Sequence, residues 1–522
     1  MENSPKVSIV GGGPGGLVSA MLLAYKGFEV DLFEKEAEVG GRSGCVTLGD
    51  YRFDIGSTLL LMKFILDEIF ASVGRSSEDY LDFVQLEPMY RLDFKDASFS
   101  LASDFETNMA EIARVFPGNE KGYRRFAERE QTRLERLYPC LQQSFASPLQ
   151  LLRPQVLSAL PYVGLFSSMS DVMGRYFDND DLKMALSFQS AYLGMSPWQC
   201  PGGFSIIPYL EHVYGIYHVM GGINRISQVF RTLAEEFGAR IHTSQAVEKI
   251  HTDGRKCHAL TLQDGEIHPV DNLVIASDFA WSMTSLFDKG QLKTWTPQKL
   301  DKARYSCSTF MLYLGLDKVY ANPHHNFIFS DNYRQEMTQL YTGGELSDDF
   351  SLYVCNPSVT DASMAPEGHS ALYVLVLTAN NTSTIDWEHA RETLRDKVLE
   401  RLEQRAGYQG IRGHIREQHL ISPSDWEQQH HVYRGAVFNL AHSIDQLLSM
   451  RPRNRFDEFD NCYLAGGGTS PGSGFPTILE SARITSNLLC QSYGLPLYVA
   501  DPLPQHTFLP SSRTGRFDQI PA

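Results

Sequence analysis

The chain has 522 residues, of which 43% are hydrophobic and 21% are charged, and its formal net charge is −16. This length predicts two or three structural units. The acidic excess argues against a nucleic-acid partner, because phosphate binding needs concentrated Lys and Arg. It also argues against bulk electrostatic docking to anionic lipid, although a local basic patch stays open.

The cysteines and histidines do not have the spacing of metal ligands. The eight cysteines are scattered without a Cys-x-x-Cys pair, which is typical of reduced thiols. His324-His325 and His430-His431 are adjacent pairs, and sequence neighbours rarely face one ion. We therefore expect no metal site.

The sequence shows no membrane-spanning or secretory segment. No stretch reaches roughly 18 uninterrupted apolar residues. A polar segment, 1–5, leads directly into an apolar run that belongs to a nucleotide-binding motif. We therefore expect a cytoplasmic protein.

The first recognisable motif occupies residues 6–16, which read KVSIVGGGPGG. An apolar strand ends in a glycine turn, and Gly11, Gly13 and Gly16 satisfy G-x-G-x-x-G. A helical pattern and a second strand follow, ending at Glu34, 18 residues beyond Gly16. Such a turn lets backbone approach a pyrophosphate at a helix N-terminus, while the carboxylate accepts ribose hydroxyls. The segment therefore predicts dinucleotide binding.

The next segments favour FAD over NAD. Residues 34–43 read EKEAEVGGRS, and residues 53–58 read FDIGST. These glycines suit further close passes of backbone along an extended cofactor, with a guanidinium near the diphosphate. The predicted cofactor-binding residues here are Lys35, Gly41, Arg42, Gly56, Ser57 and Thr58.

The end of the chain repeats the strand–glycine–helix construction. Residues 462–490 read CYLAGGGTSPGSGFPTILESARITSNLLC. The free N–H groups of this second helix could face the edge of the flavin where negative charge develops on reduction. Gly467 and Thr469 are the predicted cofactor-binding residues of this segment.

Together, GGGPGG…FEK…VGGR…FDIGST and LAGGGTSPGSGFPTILESA resemble the bacterial and fungal phytoene-desaturase family, within the amine-oxidase-like flavoproteins. The resemblance covers nearly the whole chain. It implies that FAD removes hydrogen from a long polyisoprenoid, and that Val247 lies against adenine. Two positions depart from the family pattern. Ser470 replaces the usual His, and Phe475 replaces a small or aliphatic residue before the proline.

The resemblance and the pattern along the chain predict an α/β fold. It comprises a discontinuous Rossmann-like FAD-binding domain, a mixed-sheet substrate domain and a helical lid or membrane-associating portion. Strand-like alternation at 306–316, 351–355 and 370–378 suits the substrate sheet. The expected limits are 1–100, 219–285 and 455–495 for the FAD-binding domain, 101–218 for the helical portion, 286–454 for the substrate domain and 496–522 for a C-terminal tail.

Residues 151–177 are apolar and aromatic but include Arg153 and Arg175. They fit either a helical core or lid, or a patch resting in the lipid interface through which an insoluble substrate enters. The second interpretation implies peripheral membrane association. It also predicts an apolar tunnel from the isoalloxazine to the 151–217 surface.

The implied reaction transfers hydride from a saturated carbon–carbon unit to flavin N5, with a proton lost to a base or to water. The cofactor carries this chemistry, and no side chain is assigned as catalytic. His442 and Glu480 are interpreted as structural, and Asp278 as a turn or cap.

Several alternatives stay open at this point. A carotenoid isomerase, oxygenase or saturase would use the same FAD scaffold. A non-catalytic isoprenoid carrier is the alternative from another class, and the intact glycine motifs speak against it. Both C30 and C40 substrates, and both a quinone and O2 as electron acceptor, are compatible with the sequence.

Overall fold

The structure is a computed structural model that describes residues 4–143, 152–164, 166–342, 346–506 and 508–509. Parts of several predicted segments lie outside these residues. They are positions 1–3 of the FAD-binding domain, 144–151 and 165 of the helical portion with its apolar stretch, 343–345 of the substrate domain, and 507 and 510–522 of the tail.

The strands define the sheets that hold the site. In chain order they are β1 (Lys6–Val10), β2 (Glu29–Phe33), β3 (Cys45–Leu48), β4 (Tyr51–Asp54), β5 (Phe83–Gln85), β6 (Tyr90–Asp93), β7 (Ser98–Leu101), β8 (Tyr217–Val219), β9 (Arg240–His242), β10 (Val247–Asp253), β11 (Lys256–Leu262), β12 (Ile267–Pro269), β13 (Leu273–Ile275), β14 (Ser308–Leu316), β15 (His325–Ile328), β16 (Leu352–Cys355), β17 (Ser370–Thr378), β18 (Ile415–Ile421) and β19 (Cys462–Leu464).

The α-helices flank these sheets. In chain order they are α1 (Pro14–Tyr25), α2 (Lys63–Ala71), α3 (Phe105–Val115), α4 (Glu120–Leu141), α5 (Pro154–Ala159), α6 (Met169–Met173), α7 (Asp180–Ala185), α8 (Ile206–Tyr214), α9 (Asn224–Glu236), α10 (Phe279–Ser285), α11 (Pro297–Lys302), α12 (Tyr333–Thr342), α13 (Trp387–Arg405), α14 (Ile411–His414), α15 (Pro423–Gln428) and α16 (Phe475–Ser492).

A five-stranded parallel sheet of order β19-β13-β1-β2-β9 forms the nucleotide-binding part. Its strands come from the start, the middle and the end of the chain, so the unit is discontinuous, as predicted. Helix α1 packs against both α9 and α16. Such a parallel sheet covered by helices is the arrangement expected for a Rossmann-like fold. In a separate antiparallel sheet, β10-β11-β12, a turn at Asp264-Gly265 joins β11 to β12.

A seven-stranded mixed sheet of order β18-β14-β17-β16-β15-β6-β7 forms the second part. Strand β14 is buried along its whole length. Its Phe310 and Leu312 belong to a core shared with α13, whereas Met311 and Tyr313 face the core that contains β4. The alternation places one face of the sheet against a helix and turns the other toward the nucleotide-binding part.

Strands β6 and β7 belong to this second sheet, because β6 pairs in parallel with β15. The first hundred residues, which we assign to the FAD-binding domain, therefore contribute to both sheets. Helices α3 and α4 begin the helical portion expected at 101–218. Helices α5 and α8 pack against α4.

Candidate flavin and substrate site

One continuous cavity of about 1320 Å³ is lined by residues of both sheets and of the helices between them. It begins at the carboxyl end of β1 and reaches the inner face of the seven-stranded sheet. Its volume exceeds the roughly 1,000 Å³ of a large small-molecule site. The cavity is therefore large enough for a dinucleotide together with a long second ligand.

The glycines of the first motif have different structural roles. A Cβ on Gly16 would lie 2.0 Å from the carbonyl oxygen of Gly11, so glycine there permits the tight turn into α1. A Cβ on Gly13 would meet no protein atom within 4 Å, and Gly13 lines the cavity. Gly11 also lines the cavity, whereas Gly16 does not. This open space beside a helix N-terminus without a side-chain cap fits a diphosphate.

Glu34 lies at the end of β2, buried and in the cavity wall. Its Oε2 accepts a hydrogen bond from the backbone N–H of Gly12 at 2.6 Å, and its Oε1 accepts one from that of Glu36 at 2.9 Å. A carboxylate has about four acceptor positions, so two stay available for ribose hydroxyls. Lys35 also lines the cavity and donates to the carbonyl of Gln429 at 2.6 Å.

Arg42 connects the second glycine pair to a distant segment. Its guanidinium donates to the carbonyl of Val437 at 2.8 Å and lies 3.5 Å from the carboxylate of Asp278. Asp278 caps α10 by accepting from the backbone of Trp281, which matches its interpretation as a cap. Burial raises the pKa of Asp278, and Arg42 opposes that rise. Gly41 and Arg42 both line the cavity.

Gly56, Ser57 and Thr58 line the cavity where the two sheets meet. The carbonyl of Gly56 accepts from the hydroxyl of Tyr373 on β17 at 2.8 Å. The hydroxyls of Thr58 and of Tyr353 on β16 are 2.6 Å apart. These bonds attach the predicted cofactor-binding loop to the substrate-side sheet. Val247, the first residue of β10, lines the opposite end.

The closing motif brings the N-terminus of α16 to the cavity. Its N-cap, Gly474, has no side-chain cap, and Gly467 lines the same wall. Thr469 does not line the cavity, since its hydroxyl donates to the carbonyl of Pro452 at 2.5 Å. Ser470 and Phe475, the two departures from the family pattern, are both buried in the cavity wall.

His442 supports this loop from the side. Its Nε2 accepts from the backbone N–H of Ser473 at 3.0 Å. Burial holds the pKa of His442 well below its ordinary value, and the nearby Arg451 lowers it further. The imidazole is therefore neutral and acts as an acceptor that positions the loop.

Arg451 hydrogen-bonds the closing glycine loop and does not line the cavity. Its guanidinium donates to the carbonyls of Gly467 at 2.8 Å and Thr469 at 3.1 Å. Glu480 lies outside the cavity wall and forms a buried ionic cluster with Arg483 and Glu68. This arrangement agrees with the structural interpretation of Glu480.

Sequence reasoning missed the 429–439 segment, which supplies one wall of the nucleotide end. His431 stacks on Trp281 with ring centroids 4.2 Å apart and planes at 14°, and both rings line the cavity. Backbone with positive φ at His431, Arg434 and Asn439 shapes this segment. No motif in the sequence marks these residues.

Beyond the glycine loops the cavity becomes an apolar tunnel. Its wall residues come from α4, α5, α8 and α12, from the inner face of the seven-stranded sheet, and from the connecting segments around 160, 192–204, 329 and 447–448. They include Leu134, Leu137, Tyr138, Leu141, Val156, Ala159, Leu160, Tyr192, Leu193, Phe204, Ile207, Leu210, Met311, Phe327, Phe329, Tyr333, Tyr353, Leu375, Leu447 and Leu448. The tunnel reaches the 151–217 region, as the sequence predicts for a long isoprenoid.

A buried carboxyl group lies behind the tunnel wall. Glu211 Oε2 accepts from the hydroxyl of Tyr90 and from the side-chain amide of Gln189, both at 2.9 Å. Burial raises the pKa of Glu211 to about 7, although these hydrogen bonds oppose the rise. A second buried carboxyl group, that of Glu336, lies in the tunnel wall itself, and burial raises its pKa.

The described residues include no helix that is both long and apolar enough to cross a bilayer. Large apolar side chains are nevertheless exposed in two segments that supply tunnel-wall residues, 152–166 and 444–450. They are Leu152, Leu157, Leu160, Phe166, Ile444 and Met450, of which Leu160, Ile444 and Met450 also line the cavity.

Comparisons with known proteins agree with this geometry. The profile of the family described as "Flavin containing amine oxidoreductase" matches residues 14–490. The 4,4'-diapophytoene desaturase (4,4'-diapolycopene-forming) of Methylomonas sp is 46% identical over 94% of this chain and 96% of its own. The all-trans-zeta-carotene desaturase of Myxococcus xanthus is 35% identical over 97% of this chain and 96% of its own.

Among solved structures, cyclohexylamine oxidase from Brevibacterium oxydans superimposes with a TM-score of 0.62. The alignment covers 94% of this chain and all of that one at 12% identity, so it bears on the fold alone. The chain therefore belongs to the flavin-containing amine oxidoreductase family and, within it, to the carotenoid desaturases that the sequence relatives represent. The predicted family resemblance, flavin cofactor and oxidoreductase class are confirmed.

Proposed function

We propose that the chain is an FAD-dependent desaturase of a long polyisoprenoid, a carotenoid precursor of the diapophytoene or phytoene type. The observation that carries the proposal is the single cavity, which joins two uncapped helix N-termini to a long apolar tunnel. The names of the Methylomonas and Myxococcus relatives point to the same substrate class.

The choice of FAD rests on the nucleotide end of the cavity. Glu34 and the stacked rings of Trp281 and His431 lie in the same cavity as the α16 N-terminus. A cofactor that extends between them needs both an adenosine portion and a flavin ring. Release of the bound flavin by heat, followed by chromatography, distinguishes FAD from FMN.

When bound, FAD supplies a two-electron acceptor for hydride. The residues of the chain orient the substrate and exclude water, since the tunnel wall beside Ser470 and Phe475 is buried. We propose that the predicted cofactor-binding residues that line the cavity bind the FAD. We assign no side chain as the proton acceptor.

Peripheral membrane association is part of the proposal. Helix α5 turns Val156 and Ala159 into the tunnel, whereas Leu157 on the same helix is exposed. Phe166 is fully exposed nearby. An element that is apolar on both faces suits a position between a tunnel and the lipid interface. An insoluble substrate could then enter the tunnel without crossing water.

Liposome flotation tests this membrane contact. A Leu157→Glu/Phe166→Glu variant is expected to stay with the soluble fraction while the wild type floats. Ile267→Glu, an exposed isoleucine on β12, is the matched control and should float as the wild type does. Flotation of the double variant at the wild-type level would contradict the contact.

The catalytic proposal is tested with FAD-loaded protein and liposomes that carry C30 or C40 polyenes. Red-shifted absorption bands of the product support desaturation. Unchanged conjugation length with a new cis/trans pattern would indicate an isomerase instead. A polyene that binds but stays unchanged beside bound flavin would overturn the proposal and favour a carrier.

A further inference from the structure

A cluster of histidine and cysteine side chains lies behind the tunnel wall, apart from the flavin motifs. His325 begins β15 and pairs in register with Cys355 on β16. His324 immediately precedes the strand. One side-chain atom of each of the three residues lies within 4.8 Å of the other two, and all three side chains are buried.

The two imidazoles are oriented by hydroxyl groups. Nδ1 of His324 is 2.8 Å from Thr360 Oγ1, and Nδ1 of His325 is 2.8 Å from the hydroxyl of Tyr353. The Nε2 atoms of both histidines are buried and have no hydrogen-bond partner among the described residues. A hydroxyl partner on one ring nitrogen, with the other nitrogen unpaired, is the arrangement that orients a metal-binding imidazole.

The chemistry of the three side chains suits a cation. A neutral imidazole and a thiolate are the forms of histidine and cysteine that bind a metal ion, so metal binding at Cys355 would displace a proton from sulfur.

A carboxylate lies next to the cluster. The His218 ring packs on His324 with centroids 4.7 Å apart, and its Nε2 is 2.9 Å from Asp361 Oδ2. The same oxygen also accepts a hydrogen bond from the backbone N–H of Gly221 at 2.6 Å. The carboxylate of Asp361 and a Cys355 thiolate would together balance the charge of a divalent ion.

We propose that His324, His325 and Cys355 form a binding site for a divalent transition-metal ion of the zinc class. Two imidazoles and a thiolate are donors that zinc prefers. Zinc bonds of about 2.0 Å to nitrogen and 2.3 Å to sulfur place ligand atoms roughly 3.3–3.6 Å apart, so the set closes with side-chain shifts of about 1 Å.

The site would stabilise the tunnel wall and take no part in hydride transfer. Tyr353 contacts His325 and Thr58, and it also lines the tunnel. A metal bridging β15 and β16 would fix this tyrosine in place. The sequence predicts no metal site, because His325 and Cys355 are 30 residues apart. The register of β15 and β16 brings the two residues together.

The first test uses the full-length flavin-loaded protein without a histidine tag, purified from zinc-supplemented cells. Elemental analysis is expected to find one zinc per chain. After chelation, titration with Co²⁺ should give a thiolate-to-cobalt charge-transfer band together with d–d bands at longer wavelength than the flavin bands, saturating at one equivalent. Absence of zinc together with absence of these cobalt bands in the wild type would overturn the proposal.

The second test assigns the ligands. Cys355→Ser should abolish the thiolate band, and His325→Ala should weaken Co²⁺ binding by at least about tenfold. Cys257→Ser, another buried cysteine, is the matched control and should keep both signals. Flavin content is measured in each variant, since loss of metal with retained flavin separates this site from the desaturase proposal. A thiolate band that persists in Cys355→Ser would exclude the site.

Discussion

The two ends of the cavity are built in different ways. At the flavin end, short backbone turns and a few polar side chains such as Glu34 and Arg42 set the geometry. At the tunnel end, apolar side chains from many elements contribute small dispersion contacts. The cofactor-binding residues therefore lie in short sequence motifs. The residues that would bind a long hydrocarbon come from distant parts of the chain.

The same difference predicts unequal sensitivity to mutation. At Gly16 one added atom meets the backbone carbonyl oxygen of Gly11, and backbone cannot move away as a side chain can. A tunnel wall of aliphatic and aromatic residues can repack around a change of similar volume. Substitutions at the two ends should therefore differ in both size and kind.

The largest effect is expected for Gly16→Ala. Its Cβ would lie 2.0 Å from the Gly11 carbonyl oxygen, so the turn must distort, at a cost of about 3 kcal/mol of folding free energy. Flavin content and apoprotein melting temperature should both fall. Gly13→Ala is the control within the same motif, because its Cβ meets no protein atom. The Gly13→Ala variant should lose flavin affinity, while its apoprotein should melt at the wild-type temperature. Equal melting temperatures of the Gly16→Ala and Gly13→Ala apoproteins would contradict the claim that Gly16 serves the turn and Gly13 the cofactor.

A smaller effect is expected for Glu34→Ala. Loss of one charge-assisted hydrogen bond to the cofactor, which contributes about 1.5–3 kcal/mol, should weaken flavin binding by about 10–150-fold. Titration of the apoprotein followed by flavin fluorescence measures the change. Glu29→Gln, at the half-buried start of the same strand, should bind flavin normally. Equal flavin affinities of the wild type and Glu34→Ala would show that Glu34 does not bind the cofactor.

At the tunnel end, Ala159→Phe should reduce kcat/KM for a polyene in liposomes by about tenfold, since a phenyl ring would narrow the mouth. Flavin content and flavin spectrum should be unchanged. Ser158→Phe on the exposed side of the same helix is the matched control. A lower flavin content in Ala159→Phe would contradict the claim that the tunnel end does not affect flavin binding.

The smallest effect concerns the carboxyl group behind the tunnel wall. Burial raises the pKa of Glu211 from 4.5 in the unfolded chain to about 7. The folded state therefore binds the proton more tightly, so its contribution to stability is complete below about pH 4.5 and is lost as the pH rises through 7. Between pH 5 and 8 the wild-type melting temperature should fall by roughly 3 °C relative to Glu211→Gln. Exposed Glu135→Gln should follow the wild type, and parallel curves for Glu211→Gln would contradict the assignment.

Much of the fold could be predicted from the sequence, because its signals are local. The strand–glycine–helix patterns gave β1, α1, β19 and α16, and alternation gave β14, β16 and β17. Eleven of the thirteen predicted cofactor-binding residues line the cavity, and the exceptions are Gly16 and Thr469.

The rest depends on contacts between distant residues. The pairing of β6 with β15 joins strands more than 200 residues apart, and no local pattern indicates it. The Trp281–His431 stack and the His325–Cys355 pair depend likewise on tertiary folding and strand register. Aromatic and histidine residues at such spacings are more often ordinary core residues, so the sequence carries no distinguishing signal.

The central claim is that one cavity places flavin and polyisoprenoid in contact. Anaerobic single-turnover spectroscopy of the flavin-loaded protein with polyene-bearing liposomes tests it most directly. We expect the oxidised flavin absorbance to bleach as red-shifted polyene bands appear, with one new double bond for each flavin reduced. Flavin that stays oxidised while the polyene spectrum is unchanged would contradict the account.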